Sequence, residues 1–175
     1  MRAETMTQNA SPSLLERRGM ELVILVLGVV IAVTHIWMNS FGNVSTLFQN
    51  GFHFAGFALL CALVTPVTTA PWAKNTAVRT LNIIIGLAVA AAALYVVLAE
   101  NAVYDRGVRL IWTDWLAAGL CILGALEFTR RTTGLIIPCL ILAALTYVAF
   151  WGQYVPGVFR FAGVSLVTIT FRAMY

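Results

Sequence analysis

Leu126-Glu127-Phe128-Thr129-Arg130-Arg131-Thr132-Thr133-Gly134 lies between two apolar runs, about 115–129 and about 134–151. On a helix, an acid placed three and four residues ahead of two arginines stands beside both. The acid comes first, which is the favourable order. Two adjacent arginines at the foot of an apolar run also mark topology, because basic residues flanking a membrane span stay on the cytoplasmic side. Glu127, Arg130 and Arg131 therefore predict the end of a membrane helix at a polar interface. As a screened interfacial pair they are worth under about 1 kcal/mol. The functional alternative for the same side chains is a contact to lipid headgroups or to a transport domain.

The composition around this stretch is that of a membrane protein. Of 175 residues, 61% are hydrophobic and 10% charged, whereas a soluble domain carries about a quarter charged residues. Such a chain cannot cover its own surface in water, so the bilayer is its first partner. The formal charge of +4 comes from basic residues scattered between apolar runs. That is not the clustered footprint of a nucleic-acid binder.

Outward from the arginines, the apolar runs predict five spans, about 20–38, 51–70, 80–99, 114–129 and 133–151. Residues 1–18 read as a polar cytoplasmic tail, with a short surface helix beginning at Leu14. The first run is too long for a typical signal core and no A-x-A-like site follows it, so it reads as an uncleaved anchor. Residues 39–50 read as an uncharged loop, in which Asn43-Val44-Ser45 fits a glycosylation pattern of little weight here. Pro66 lies near the end of the second span and Pro71 ends it. Ala90-Ala91-Ala92-Ala93 predict close packing for the third span, since small residues let helix backbones approach. Glu100 to Trp112 reads as the most polar loop, and Thr113-Asp114 as the N-cap of the fourth span. Pro138 stands near the start of the fifth, where proline costs little. Gln153 to Gly157 breaks the chain, and residues 158–175 read as an incomplete sixth helical segment.

With the N-terminus inside, Arg2, Arg17, Arg18, Lys74, Arg79, Arg130 and Arg131 fall on the cytoplasmic side, and Arg106, Arg109 and Arg160 outside, with Arg172 in the tail. The basic bias favours that orientation.

Few side chains in this chain suit chemistry. Cys61, Cys121 and Cys139 are odd in number, lack CxxC spacing and sit in apolar runs, which predicts buried, inert thiols. Asp114 reads as a cap, and the tyrosines and tryptophans as interface anchors or packing. His35 and His53 fall at the same ends of neighbouring spans and could face one another. Paired histidines on adjacent helices are what bis-histidine haem ligation needs, so a small haem- or quinone-linked redox protein is one alternative. Two interfacial histidines bonded to loop backbone are the plainer reading. A membrane assembly factor is a further alternative. No nucleophile–base pair, Gly-rich phosphate loop or dense acidic cluster points to an enzyme.

From Arg106 onward the chain reads Arg106-Gly107, Asp114, Leu126-Glu127, Arg130-Arg131, Gly134, Pro138, Tyr147, Gly152, Pro156-Gly157, Gly163 and Ser165. In order and spacing this resembles the N-terminal part of the fused membrane subunit of tripartite ATP-independent periplasmic (TRAP) transporters, the branch with TAXI-type binding proteins. His53 heading the second span, followed by Pro66, also resembles that pattern. Two departures stand out. The Tyr147 to Gly152 spacing is one residue wider than the family pattern, and Gln49-Asn50 occupy the place of an expected arginine.

The resemblance spans roughly residues 50–175. It implies an all-α polytopic protein of the bacterial inner membrane, in which 19–129 is a small-subunit-like helical module and 130–175 the start of the large transport region. It implies ion-driven uptake (sodium or proton symport) of organic acids, carboxylates by class, delivered by a periplasmic TAXI-type solute-binding protein. Family members carry their ion and substrate sites in later helices, so this portion is expected to hold no cofactor. It would serve as a scaffold for the remaining large transport subunit region. Alone it is not expected to transport.

Overall fold

The computed structural model describes residues 14–67, 75–107 and 109–175. Among them there is no strand. The helices are α1 (Leu14–Ser40), α2 (Thr46–Val64), α3 (Thr76–Asp105), α4 (Trp112–Thr133), α5 (Ile136–Thr146) and α6 (Leu166–Met174). Residues 1–13 of the predicted polar tail, and Pro71 and Lys74, lie outside the described residues.

The chain is an all-α polytopic membrane protein. Four helical stretches are long and apolar enough to cross a bilayer: Arg18–Ser40, Thr46–Val64, Thr76–Asp105 and Ile136–Tyr154. The sequence predicts five. The difference is α4, a 22-residue helix with Asp114 in its first turn and Arg130 and Arg131 in its last. Its apolar part is confined between those charges.

Several boundaries also move. The helix begun at Leu14 is not a separate surface helix but runs unbroken into the first span. Residues 46–50, expected in a loop, form the first turn of α2, because the Ser45 hydroxyl accepts from Phe48 N–H at 3.2 Å and caps it. Residues 100–105, also expected in a loop, continue α3, which reaches 30 residues. At 1.5 Å per residue that is about 45 Å, longer than a hydrocarbon core of about 30 Å. The polar turns of α3 therefore extend past the apolar layer or the helix tilts.

Helices α1 to α4 run alternately up and down. Hydrogen bonds join His35 near the end of α1 to His53 in α2, Ala62 near the end of α2 to Asn82 in α3, and Arg106 after α3 to Asp114 in α4. The seams between them are cut to fit small residues. A Cβ on Gly56 would meet Ile31 of α1 at 2.7 Å, one on Gly86 would meet the Ala62 Cβ of α2 at 2.4 Å, and one on Gly124 would meet Val89 of α3 at 2.5 Å. Ala55, Ala90, Ala92, Ala93, Val96, Ala117 and Cys121 form the core where α2, α3 and α4 meet. The alanine run thus packs as its composition predicts. Helix α3 is the hub, with 39% of its apolar window buried, against 6% for α1. Helix α1 is peripheral, and most of its surface is left to lipid.

Gly134, at φ 81°, ends α4 and turns the chain into α5. A wider turn at Tyr147–Trp151 follows, then short tight turns at Gly152–Tyr154 and Gly157–Phe159. Here the backbone folds back on itself: Phe161 N–H donates to Gly152 carbonyl at 3.0 Å and Val164 N–H to Val148 carbonyl at 3.1 Å. The Tyr147 hydroxyl donates to the Phe159 carbonyl. The segment read as an incomplete helix is thus a hairpin-like return followed by α6, which Ser165 caps. Met174, its last residue, and Tyr175 pack on the α2–α3–α4 core.

Close packing at Gly86 sets a testable cost. Gly86→Ala places its methyl against Ala62 and is expected to lower stability by about 1–3 kcal/mol, the range for overpacking. Gly28→Ala, where a Cβ meets nothing within 4 Å, is expected to be neutral or stabilising. Denaturant unfolding midpoints in micelles check the pair; equal effects would contradict the packing described.

Candidate functional site

Polar side chains gather at the two ends of the helix bundle. One junction is built on the Glu127–Arg131 stretch. Arg130 grips Glu127 with two donors, Nε to Oε2 and Nη2 to Oε1, both at 2.8 Å. Its Nη2 also donates to the Val67 carbonyl at 2.8 Å. Arg131 Nε donates to Glu127 Oε1 at 2.8 Å. The helical spacing read from sequence is therefore realised on both arginines.

What the spacing did not reveal is where Arg131 goes. Its side chain is only 1% exposed, against 36% for Arg130 and 29% for Glu127. It lies with its guanidinium 5.1 Å from the Phe128 ring centre. From there Nη1 donates to Asn82 Oδ1 at 2.5 Å and to the Thr65 carbonyl at 3.4 Å. Asn82 in turn donates through Nδ2 to the Ala62 carbonyl at 2.6 Å and the Thr65 carbonyl at 3.2 Å. One arginine thus joins the end of α4 to the start of α3 and the end of α2. The expectation of a screened interfacial pair fails for Arg131: a buried charge stripped of partners costs several kcal/mol.

Helix dipoles explain the surplus of positive charge here. Both α2 and α4 end at this junction, and each presents unsatisfied carbonyls and partial negative charge. Two guanidiniums against one carboxylate meet that field: Asn82 takes the Ala62 carbonyl of α2, and the arginines take the Thr65 and Val67 carbonyls just past its end.

The second junction lies at the opposite end. Asp114 is 3% exposed. It accepts from Arg106 Nη2 at 2.7 Å, from the Tyr95 hydroxyl at 2.8 Å and from Ile111 N–H at 2.8 Å. Tyr95 also bonds the Thr113 hydroxyl at 2.8 Å. The N-cap expected at Thr113-Asp114 is displaced: α4 starts at Trp112, so Asp114 sits in the first turn and reaches back to the backbone. Its charge still suits that helix start, and Arg106 suits the end of α3. The same ion pair bridges both helix termini.

His35 and His53 are brought together, but on each other. His53 Nδ1 and His35 Nε2 are 2.5 Å apart, and His53 stacks on Phe57 with ring centres 4.3 Å apart. An iron held between axial imidazoles needs their nitrogens about 4 Å apart on opposite sides, given a metal–nitrogen bond of about 2 Å. Imidazoles bonded directly to each other do not fit that group. Among the described residues, no cluster of three or more His, Cys, Asp or Glu could hold a metal ion. The three thiols are free; Cys121 is buried and Cys61 half-buried, as expected, but Cys139 is on the exposed face of α5.

Sequence reasoning missed Asn82, Thr65 and Tyr95. An asparagine near the start of an otherwise apolar run was the available signal, because a lone amide in hydrocarbon needs a partner.

Fold and junctions together define a polytopic helical membrane protein whose buried polar side chains bind helices to one another. Neither a family model, nor a curated protein, nor a solved structure matches the chain.

Two measurements test this geometry. Arg131→Met should destabilise the protein by about 1–3 kcal/mol, since Asn82 loses its acceptor's donor while Glu127 keeps Arg130. Arg130→Met should cost less, because its side chain is partly exposed; the reverse order would refute the assignment. Haemin added to the purified chain is expected to give no Soret band that His35→Ala or His53→Ala abolishes; such a band would revive axial ligation.

Proposed function

We propose that this chain is the membrane scaffold portion of a TRAP-type secondary transporter for organic acids. The observation that carries this reading is a coincidence between motif and structure. The residues on which the resemblance rests are pivots of the fold. Arg106 and Asp114 pair, Glu127, Arg130 and Arg131 form one junction, and Tyr147 closes onto the Phe159 carbonyl. Gly107, Gly134, Gly157 and Gly163 all adopt positive φ, which glycine permits without strain. A Cβ on Gly152 would meet the Tyr147 carbonyl at 2.8 Å. A motif set whose members depend on one another physically supports the resemblance better than scattered identities do.

The distribution of charge supports a scaffold role. Asp114, Glu127, Arg130 and Arg131 stand at the ends of α4, and each acid is paired with arginine. Ionisable side chains in mid-bilayer mark transport paths, and these charges instead tie helices together. In this reading the N-terminus and the Arg130–Arg131 end face the cytoplasm of a bacterial inner membrane. Residues 130–175 begin the large transport region, although α4 runs continuously across 129 and 130. Substrate arrives from a periplasmic TAXI-type binding protein, and the coupling ion and substrate bind in other helices.

Proteoliposomes containing this chain alone, given a sodium or proton gradient and radiolabelled dicarboxylates, are expected to show no uptake above empty vesicles. Thr132→Cys is expected to react with a membrane-impermeant maleimide only after the cells are opened. Uptake by the isolated chain, or labelling of Thr132→Cys from outside intact cells, would overturn the reading.

A further inference from the structure

A cavity of about 610 Å³ opens among α2, α3, α4, α5 and α6, inside the range of about 300–1,000 Å³ for ligand pockets. It follows α4 from Cys121 to Thr129, about 12 Å at 1.5 Å per residue. On α2 it reaches Thr46 and Asn50 in the first turns, and α6 closes it with Arg172 and Tyr175. Most of the remaining wall is hydrocarbon.

Water is a poor occupant of such a space, since a buried water needs two to four polar partners. An acyl chain is a good one, and the surrounding bilayer supplies it. The polar groups are not evenly spread. Among the described residues the ion pairs are Arg106–Asp114, Arg130–Glu127 and Arg131–Glu127, so Arg172 has no acidic partner. Among the described residues, no aspartate or glutamate lines the cavity. Tyr175, next to α6, packs on the bundle core with its hydroxyl buried, so Arg172 is the charged group the cavity offers. A guanidinium without an acidic partner at the edge of an apolar slot suits a single anionic headgroup with a hydrocarbon tail.

We propose that this cavity holds one acyl chain of an anionic phospholipid, its phosphate at Arg172. The lipid fills the space between α2 and α5 and fastens α6 to the bundle. This inference rests on the cavity and its charge alone, and stands or falls separately from the transporter reading.

The test uses the delipidated chain in neutral detergent, titrated with phosphatidylglycerol or phosphatidylcholine of identical acyl chains and read by native mass spectrometry. One phosphatidylglycerol per chain is expected, retained in preference to phosphatidylcholine. Arg172→Gln should reduce that preference about fivefold, the scale of a partly exposed ion pair. Ala125→Trp, which fills the slot, should lower retention of both lipids. Equal retention of the two lipids by the unaltered chain would overturn the proposal, as would a lipid-free dimer in place of the lipid-bound monomer. Should Ala125→Trp fail to fold, alkylation of Cys121 in the Cys61→Ala, Cys139→Ser variant locates the lipid. Phosphatidylglycerol is expected to slow N-ethylmaleimide more than phosphatidylcholine does, and equal rates would place the lipid elsewhere.

Discussion

A hydrogen bond between Arg131 Nη1 and Asn82 Oδ1 ties together three helices that otherwise touch mainly through methyl groups and glycines. Lipid offers no partner to a guanidinium or an amide, so a polar group brought into the bundle must be answered from within it. Arg131 answers Asn82, Asn82 answers the Ala62 and Thr65 carbonyls, and Glu127 answers Arg131. The geometry of each member is set by the others. One donor of the cluster stays unanswered: Arg131 Nη2 is buried with no hydrogen-bond partner among the described residues.

The rest of the bundle is arranged around this constraint. Between the two junctions the helices use packing alone, because lipid tails are as apolar as leucine and provide no hydrophobic push between spans. That explains why Gly86 sits against Ala62 and Gly124 against Val89: close approach recovers dispersion contacts that bulkier residues would forfeit. At the far end Asp114 performs for α3 and α4 what Arg131 performs for α2, α3 and α4, with the charge signs reversed to match the reversed helix dipoles. Among the described residues, helix α1 takes part in neither junction. It meets the bundle through Ile31 against Gly56 and through the His35–His53 contact.

Much of this was legible in the sequence, and the limits have physical causes. The Glu127, Arg130, Arg131 spacing specified its ion pairs because helical geometry is local. The alanine run specified a packed helix for the same reason. The burial of Arg131 was not legible, since its partner Asn82 lies 49 residues away and pairing at that range depends on which helices become neighbours. Asp114 was recognised as a helix-start residue but misplaced within it, because its carboxylate can cap from the first turn as well as from before it. The end of α3 was set too early. Apolar periodicity marks where lipid stops, not where helical hydrogen bonding stops, and Glu100 and Asn101 continue the helix into a polar setting. That His35 and His53 could face one another was legible, but their direct contact, in place of bonds to loop backbone, required coordinates.

The central claim is that Arg131 and Asn82 are one energetic unit and not two independently placed polar residues. A double-mutant cycle of Asn82→Leu and Arg131→Met, followed by reversible unfolding in micelles, measures that coupling directly. The account predicts that the double variant loses less than the sum of the single variants, with a coupling of about 1–3 kcal/mol. Additive losses, within about 0.5 kcal/mol, would contradict it.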